Sequence, residues 1–246
     1  MRNIVEHYDQ IWRSVDFPPY LRSLFRALEQ LPLKSDCRVL DVACGNGMFG
    51  EWFKSRLNAE MYGIDYSPVA VDLCRQKGYA QVELVDLDRD PIPFEDNFFD
   101  LVILSAVVEH IMSPEQVLKQ VWRKLRPGGK VIVLTPNISW LINRMLFLFG
   151  RWDHSLMGGT KGHISYMNKR QLNAALTQAG FQELDWTHSV MIVAGSSRIS
   201  QSGLSGLIIR ALNDRRAKIW QSLWAFNFIV IACKPESTLE DQSRTV

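Results

Sequence analysis

The stretch Arg38-Val-Leu-Asp-Val-Ala-Cys-Gly-Asn-Gly-Met-Phe-Gly50 decides the fold of this chain. Its apolar residues up to Val42 predict a short buried strand, and three glycines then follow with the spacing G-x-G-x-x-G. Residues 48–57 place Phe49, Trp52 and Phe53 on one face of a predicted helix. A strand, a glycine-rich turn and a helix in this order are typical of a parallel α/β sheet.

The same alternation continues along the chain. Ser67, Ser113 and Asn168 each stand where an N-cap residue begins a helix, the last two as capping boxes with Gln116 and Gln171. Apolar runs between these helices predict the further strands, at residues 60–65, 82–85, 99–104, 130–135, 183–193 and 226–233. Strands that alternate with helices predict the α/β class.

Composition limits the class of protein. The chain has 246 residues, of which 47% are hydrophobic and 22% charged, as in a globular protein of one domain. Lys and Arg number 28 against 26 Asp and Glu, so the net charge of +2 does not point to nucleic acid as a partner. The 8 Trp and 12 Phe suit either a core or an apolar binding site.

The lack of a recognisable targeting signal and the scattered cysteines predict a cytoplasmic protein. The residues 1–10 include no apolar segment of the kind found in a signal peptide, and the apolar runs 145–149 and 228–233 are too short to span a membrane. Four cysteines, at positions 37, 44, 74 and 233, are scattered without metal-ligand spacing. We expect them to be reduced thiols.

The glycine loop alone supports two interpretations. With Asp65 lying 20 residues after Gly45, it matches the fingerprint of an NAD-dependent oxidoreductase, where the acid binds a ribose. Asp41, four residues before Gly45, instead suits a ligand that carries an amino group. Asp86, at the end of the third strand, suits an adenine amino group, and the segment from Ser105 to His110 is unlike a hydride-transfer site.

Several motifs together resemble the class I S-adenosylmethionine-dependent methyltransferases, in consistent order over residues 36–136. The segment 39–47 resembles their motif I, and Gly63-Ile-Asp-Tyr-Ser-Pro68 resembles their ribose-binding acidic loop. Residues 86–87 and 93–102 are similar to their third motif and fourth strand, and 125–133 to the turn into their fifth strand. One residue departs from the pattern, because Ala43 stands where a glycine is usual. We expect this small residue to change the loop only modestly.

The resemblance implies a Rossmann-like sheet of seven strands, mostly parallel, in the order 3-2-1-4-5-7-6 and flanked by helices. It implies S-adenosylmethionine as cofactor, lying across the carboxyl ends of the strands. Asp41 and the loop would hold its methionine part, Asp65 the ribose, Asp86 and Leu87 the adenine, and Ser105 would lie near the sulfonium. The implied cofactor-binding residues are Asp41, Ala43, Cys44, Gly45, Asn46, Gly47, Asp65, Tyr66, Asp86, Leu87 and Ser105.

The expected activity is methyl transfer to a small-molecule acceptor, at an oxygen, with hydrophobic, lipid-linked and sugar-containing acceptors left open. A hydroxyl acceptor needs a general base, and His110 and His163 are the candidate catalytic residues. The pair Glu109-His110 resembles the Glu-His pair of the ubiquinone-type O-methyltransferases. Those enzymes carry a further acid where this chain has Ala106, so we predict no metal site. An NAD-dependent oxidoreductase and a non-catalytic S-adenosylmethionine-binding protein remain the alternatives.

The motifs divide a single methyltransferase domain, residues 1–246, into parts. Apolar residues of 137–167 share one helical face, which indicates either a helix packed on the core or a lid over an apolar acceptor. The basic insert 195–224 suits a solvated helix, a phosphate-bearing acceptor or an anionic membrane, so peripheral membrane contact is a further hypothesis. The parts are N-terminal helices (1–35), the cofactor-binding core (36–136), a lid (137–167), the C-terminal part of the sheet with its insert (168–234) and a tail (235–246).

Overall fold

The computed structural model of the protein describes residues 21–151, 162–186, 189–190 and 221–236. The predicted helical segment before residue 21 and the middle of the predicted lid, residues 152–161, lie outside these described residues. So do residues 195–220 of the predicted basic insert and the tail from residue 237 onward.

One mixed sheet forms the centre of the protein. Its strands follow the order β3-β2-β1-β4-β5-β8-β6, and β7 also pairs with β8. Strands β1 to β5 pair in parallel, whereas β8 runs antiparallel to β5, β6 and β7. The strands are β1 (Arg38–Val42), β2 (Glu60–Asp65), β3 (Gln81–Leu84), β4 (Phe99–Ser105), β5 (Leu125–Pro136), β6 (Gln182–Asp185), β7 (Ser189–Val190) and β8 (Asn227–Cys233).

The predicted strand order is confirmed. Because β6 and β7 pair with the same edge of β8, they are two parts of one edge strand, which the sequence predicted as continuous over 183–193. Counted in this way, the sheet has seven strands in the order 3-2-1-4-5-7-6. The register between β6 and β8 shifts between Gln182 and Asp185, which is where the edge strand loses its regularity.

Helices cover both faces of the sheet. Buried residues of α1, α2 and α3 join one apolar cluster, and those of α4 and α6 join the cluster on the opposite face. None of the helices in the described ranges is long and apolar enough to cross a membrane. The helices are α1 (Leu21–Glu29), α2 (Met48–Leu57), α3 (Pro68–Gln76), α4 (Pro114–Lys124), α5 (Leu141–Leu148), α6 (Lys169–Gln178) and α7 (Gln221–Trp224), with a 3-10 turn at Val108–His110.

Two of the three predicted helix caps are confirmed. The Ser67 side chain accepts a hydrogen bond from the main chain of Ala70, and Asn168 forms the expected capping box with Gln171. The capping box at Ser113 is wrong, because the backbone of this residue is not in the usual extended conformation and its side chain makes no capping bond. Its carbonyl oxygen accepts from the main chain of Gln116 instead.

Candidate functional site

The loop after β1 turns sharply through residues in the left-handed region of backbone conformation. Gly45 and Gly47 have φ of 53° and 71°, and Ala43 has φ of 55°. Glycine adopts this region without strain, but for alanine it costs on the order of 1 kcal/mol. A glycine at position 43 would adopt this conformation without strain, which explains why glycine is usual there. Ala43 adopts the same turn at a small cost in backbone strain.

Asp65 at the end of β2 holds this loop in place. The main-chain N–H of Gly45 donates to Asp65 Oδ2 and that of Ser67 donates to Oδ1, both at 2.9 Å. The Cys44 N–H donates to the carbonyl of Ile64 at 3.0 Å. The structure therefore brings the loop residues and Asp65 together.

Tyr79 is a residue of this site that the sequence analysis missed. Its ring lies against Gly50, where an added Cβ atom would be 2.2 Å from the ring. Its hydroxyl accepts from the Gly50 N–H at 3.1 Å and donates to Asp41 Oδ2 at 2.8 Å. The third glycine of the motif therefore makes room for a tyrosine. The available signal was indirect, an aromatic residue directly after Gly78, which ends the preceding helix.

Asp41 is buried at the end of β1, with 1% of its surface exposed. Burial is the main cause that raises the pKa of its carboxyl, to about 7. The hydrogen bond from Tyr79 lowers this pKa, and the neighbouring charge of Asp65 raises it. A carboxyl that changes charge near neutral pH beside a glycine loop is suited to respond to a cationic ligand group.

The other predicted cofactor residues lie at neighbouring strand ends. Asp86 follows β3, where its carboxylate accepts from the main chain of Asp88 at 3.2 Å and pairs with Arg89 at 3.5 Å. Leu87 beside it and Tyr66 after β2 are half-buried. Parallel pairing places Val42 opposite Leu104, so the half-buried Ser105 lies level with the start of the glycine loop.

The two candidate catalytic histidines meet beyond the end of β4. The ring centroids of His110 and His163 are 4.6 Å apart, with the rings at 74° to each other. The Nδ1 atom of His110 lies 3.1 Å from the carbonyl oxygen of Gly162. The main-chain N–H groups of Ile164 and Ser165 donate to the Glu109 carbonyl at 2.8 and 3.0 Å, which joins the two segments.

Charges around the histidines are shaped by burial. Burial lowers the pKa of His110 below its usual 6.5, partly offset by the Gly162 carbonyl. It raises the pKa of the buried Glu109 carboxyl to about 7, and main-chain groups and the Thr135 hydroxyl oppose that rise. A neutral imidazole at neutral pH is able to accept a proton.

Glu109, His110 and His163 also form a group that could coordinate a metal ion, since one ligand atom from each lies within 4.8 Å of the others. Glu109 Oε2 accepts from Thr135 Oγ1 at 3.0 Å, and among the described residues Oε1 has no hydrogen-bond partner. The sequence predicted no metal site because of Ala106. His163, far along the chain, contributes a third ligand atom that sequence spacing did not reveal.

The start of the predicted lid, α5, exposes much of its apolar surface. Its buried helical residue is Asn143, whose amide donates to main-chain carbonyls before the helix, and Trp140 is buried just ahead of it. Leu148 and Phe149 are 73% and 71% exposed, and Met145 is about half exposed. Met145 and Phe149, two residues of the predicted apolar face, therefore do not pack on the core, whereas Ile138, Leu141 and Ile142 of the same face are half-buried.

Comparisons with known proteins agree with the motifs. A family model described as "Methyltransferase domain" matches residues 13–185. A demethylmenaquinone methyltransferase of Lactiplantibacillus plantarum is 28% identical over 204 residues, which are 74% of this chain and 85% of that protein. One of Thermus thermophilus is 32% identical over 135 residues, 53% of this chain and 61% of that protein.

Solved structures show the same fold. A SAM-dependent methyltransferase from Archaeoglobus fulgidus has a TM-score of 0.59 and 22% identity, covering 87% of this chain and 92% of that one. The phosphoethanolamine N-methyltransferase 2 of Haemonchus contortus, solved with S-adenosylmethionine, has a TM-score of 0.59 and 18% identity. The match covers 96% of this chain and 58% of that one. The family match spans well over half of the chain, and the oxidoreductase alternative finds no support in it. The chain therefore belongs to the methyltransferase-domain family, as a class I S-adenosylmethionine-dependent methyltransferase.

Proposed function

We propose that this enzyme moves the methyl group of S-adenosylmethionine to the oxygen of a small apolar molecule that carries a hydroxyl group, with His110 as the general base. The meeting of His110 and His163 beyond β4 is the observation that carries the proposal. A hydroxyl oxygen is a weak nucleophile until a base takes its proton, and an imidazole pair beside the cofactor edge supplies one.

The residues of the glycine loop fit the cofactor. Gly45 and Gly47 form the left-handed turn of the loop, and the buried Oδ1 of Asn46 has no hydrogen-bond partner among the described residues. Asp41 and the loop would hold the methionine part, Asp65 the ribose beside Tyr66, and Asp86 with Leu87 the adenine. The cofactor supplies a methyl group that is electrophilic because it is bound to a sulfonium.

His110 is suited to take the proton of the acceptor. The Gly162 carbonyl accepts a hydrogen bond, so Nδ1 of His110 carries the hydrogen and Nε2 is the nitrogen of the neutral ring that can accept a proton. Burial, which lowers the pKa of His110, keeps that ring neutral at neutral pH. In this proposal Nε2 accepts the proton, His163 binds the same hydroxyl and Ser105 lies near the transferred methyl group.

An apolar, lipid-linked acceptor is favoured by two observations. Large apolar side chains are exposed on α5 and at Ile164, which follows His163 directly in the chain. The relatives named above are demethylmenaquinone methyltransferases, which supports a quinone-type acceptor and does not distinguish oxygen from carbon as the methylated atom. We therefore propose a reduced quinone or similar phenol as acceptor, reached by a cytoplasmic enzyme in peripheral contact with a membrane.

Methyl transfer from isotope-labelled S-adenosylmethionine tests the proposal. The purified enzyme is offered reduced naphthoquinones, simple phenols and polar sugars, and the products are analysed by mass spectrometry and NMR. An O-linked label on the apolar hydroxyl compounds is expected. A label on carbon or nitrogen, or on the polar compounds alone, would reject the assigned acceptor.

The same assay distinguishes a base from a metal site. A reaction that uses the His110 imidazole keeps its rate in the presence of EDTA, because no ion takes part. Loss of the rate with EDTA and its return with a divalent ion would assign Glu109, His110 and His163 to a metal site instead.

A further inference from the structure

Tyr79 lies in a space that three glycines leave open. A Cβ atom added to Gly50 would lie 2.2 Å from its ring, one added to Gly63 3.2 Å and one added to Gly47 3.4 Å. The side chain is buried, with 6% of its surface exposed. The ring is therefore confined beneath the glycine loop and has little freedom to turn.

The hydroxyl of this confined ring fixes one half of the Asp41 carboxylate. Tyr79 Oη donates to Asp41 Oδ2 at 2.8 Å and accepts from the Gly50 N–H at 3.1 Å. The pKa of Tyr79 is well above its usual value, chiefly because of burial, so the hydroxyl keeps the hydrogen that it donates. Among the described residues, no donor reaches the other carboxylate oxygen, Oδ1.

We propose that Tyr79 is a positioning residue for the amino end of S-adenosylmethionine: it holds Asp41 by Oδ2 so that Oδ1 meets the α-ammonium group. The proposal rests on the assignment of Asp41 to the methionine part of the cofactor. Tyr79 touches neither the reacting atoms nor the ligand in this account, and it acts through Asp41.

The substitution Tyr79→Phe separates this role from simple packing. Phenylalanine keeps the ring between the glycines and removes the hydroxyl alone. Without the hydroxyl, Asp41 Oδ2 is no longer held, so we expect the Kd of S-adenosylmethionine to rise about tenfold. Titration calorimetry without acceptor measures this, and it does so independently of whether the proposed acceptor is right.

A ligand that lacks the amino acid end supplies the decisive comparison. 5′-Methylthioadenosine has the adenosine part and no α-ammonium group, so its Kd should be unchanged in Tyr79→Phe. Equal losses for both ligands would mean that Tyr79 only shapes the loop, and would overturn the proposal. Tyr62→Phe is the matched control, since it removes a hydroxyl from a tyrosine that packs among Phe94, Phe98 and Phe99.

A double substitution tests that Tyr79 acts through Asp41. In an Asp41→Asn background, Tyr79→Phe should cause no further loss of affinity for S-adenosylmethionine, because the positioned charge is already gone. If the rise in Kd of the double variant equals the product of the rises in the two single variants, the two residues act independently and the proposal is wrong.

The pH dependence of binding gives a readout that packing would not move. The pKa of Asp41 responds to burial, the Tyr79 hydroxyl and Asp65, and the thiols of Cys44 and Cys74 lie in the same cluster. Because the Tyr79 hydrogen bond lowers the pKa of Asp41, its removal should shift the pH at which affinity falls to a higher value. An unshifted midpoint in Tyr79→Phe would contradict the assigned role.

Discussion

The two sides of the site are built differently. On the cofactor side, Asp65 receives two main-chain hydrogen bonds, Tyr79 joins Gly50 to Asp41, and these carboxylates and the ring are almost completely buried. On the proposed acceptor side, two histidine rings meet, and α5, in the same predicted lid as His163, exposes large apolar residues. The contrast indicates that the loop after β1 is preorganised, whereas large apolar side chains of α5 are exposed.

A methyl group added to Gly50 should destabilise the loop after β1 and abolish binding of S-adenosylmethionine. Gly50→Ala forces the new Cβ against the Tyr79 ring, which Gly47 and Gly63 confine, so we expect a loss of about 3 kcal/mol in the free energy of unfolding. Binding of S-adenosylmethionine should be lost with it. Urea denaturation and calorimetry measure the two effects.

Gly150→Ala, just after α5, is the matched control on the acceptor side. Gly150 has φ of 66° and open space around it, so its substitution should cost about 1 kcal/mol through backbone strain alone. Equal costs at the two glycines would remove the contrast between the two sides.

Removal of the proposed base should separate catalysis from cofactor binding. In His110→Asn, an amide replaces the imidazole that accepts the proton, and kcat should fall about 100-fold. The Kd of S-adenosylmethionine should stay as in the wild type, since the described contacts of His110 lie on the acceptor side. Steady-state kinetics with an unchanged kcat would reject His110 as the base.

Exposed residues of the lid should affect the acceptor and leave the fold intact. Leu148→Ser and Phe149→Ser change side chains that are largely exposed, so the free energy of unfolding should move by no more than about 0.5 kcal/mol. The KM of an apolar acceptor should rise several-fold, while that of a short polar phenol should not. If the KM of the apolar acceptor stays as in the wild type, or if the KM values of both acceptors rise by the same factor, α5 is not on the acceptor side.

The smallest expected effect concerns the departure from the family motif. Ala43→Gly removes the backbone strain of an alanine in the left-handed region, which stabilises the folded state. Glycine also has more backbone freedom in the unfolded chain, which offsets part of this gain, so we expect a net increase of about 0.5 kcal/mol in the free energy of unfolding. Thermal unfolding measures the change. A loss of stability would mean that the alanine methyl group makes packing contacts that outweigh the strain.

Local patterns in the sequence predicted the strand ends that carry Asp41, Asp65 and Asp86, because parallel pairing brings consecutive strand ends to one edge of the sheet. Tyr79 escaped this reasoning, since nothing local shows that its ring fills the space left by Gly50. The meeting of His110 with His163 was likewise beyond spacing rules, because main-chain bonds between distant segments create it. On α5 the helical periodicity was visible, but periodicity does not tell which face is buried.

The pH profiles of two kinetic constants test most directly that the two sides work separately. Because the ionised Asp41 is proposed to bind the ammonium group, kcat/KM for S-adenosylmethionine should fall as the pH drops through about 7. At saturating cofactor and acceptor, kcat should fall only at a lower pH, because the proposed base is the neutral His110, whose pKa burial lowers. Two separate midpoints in that order are the predicted result. Coincident midpoints, or a kcat that falls at the higher pH, would contradict the account.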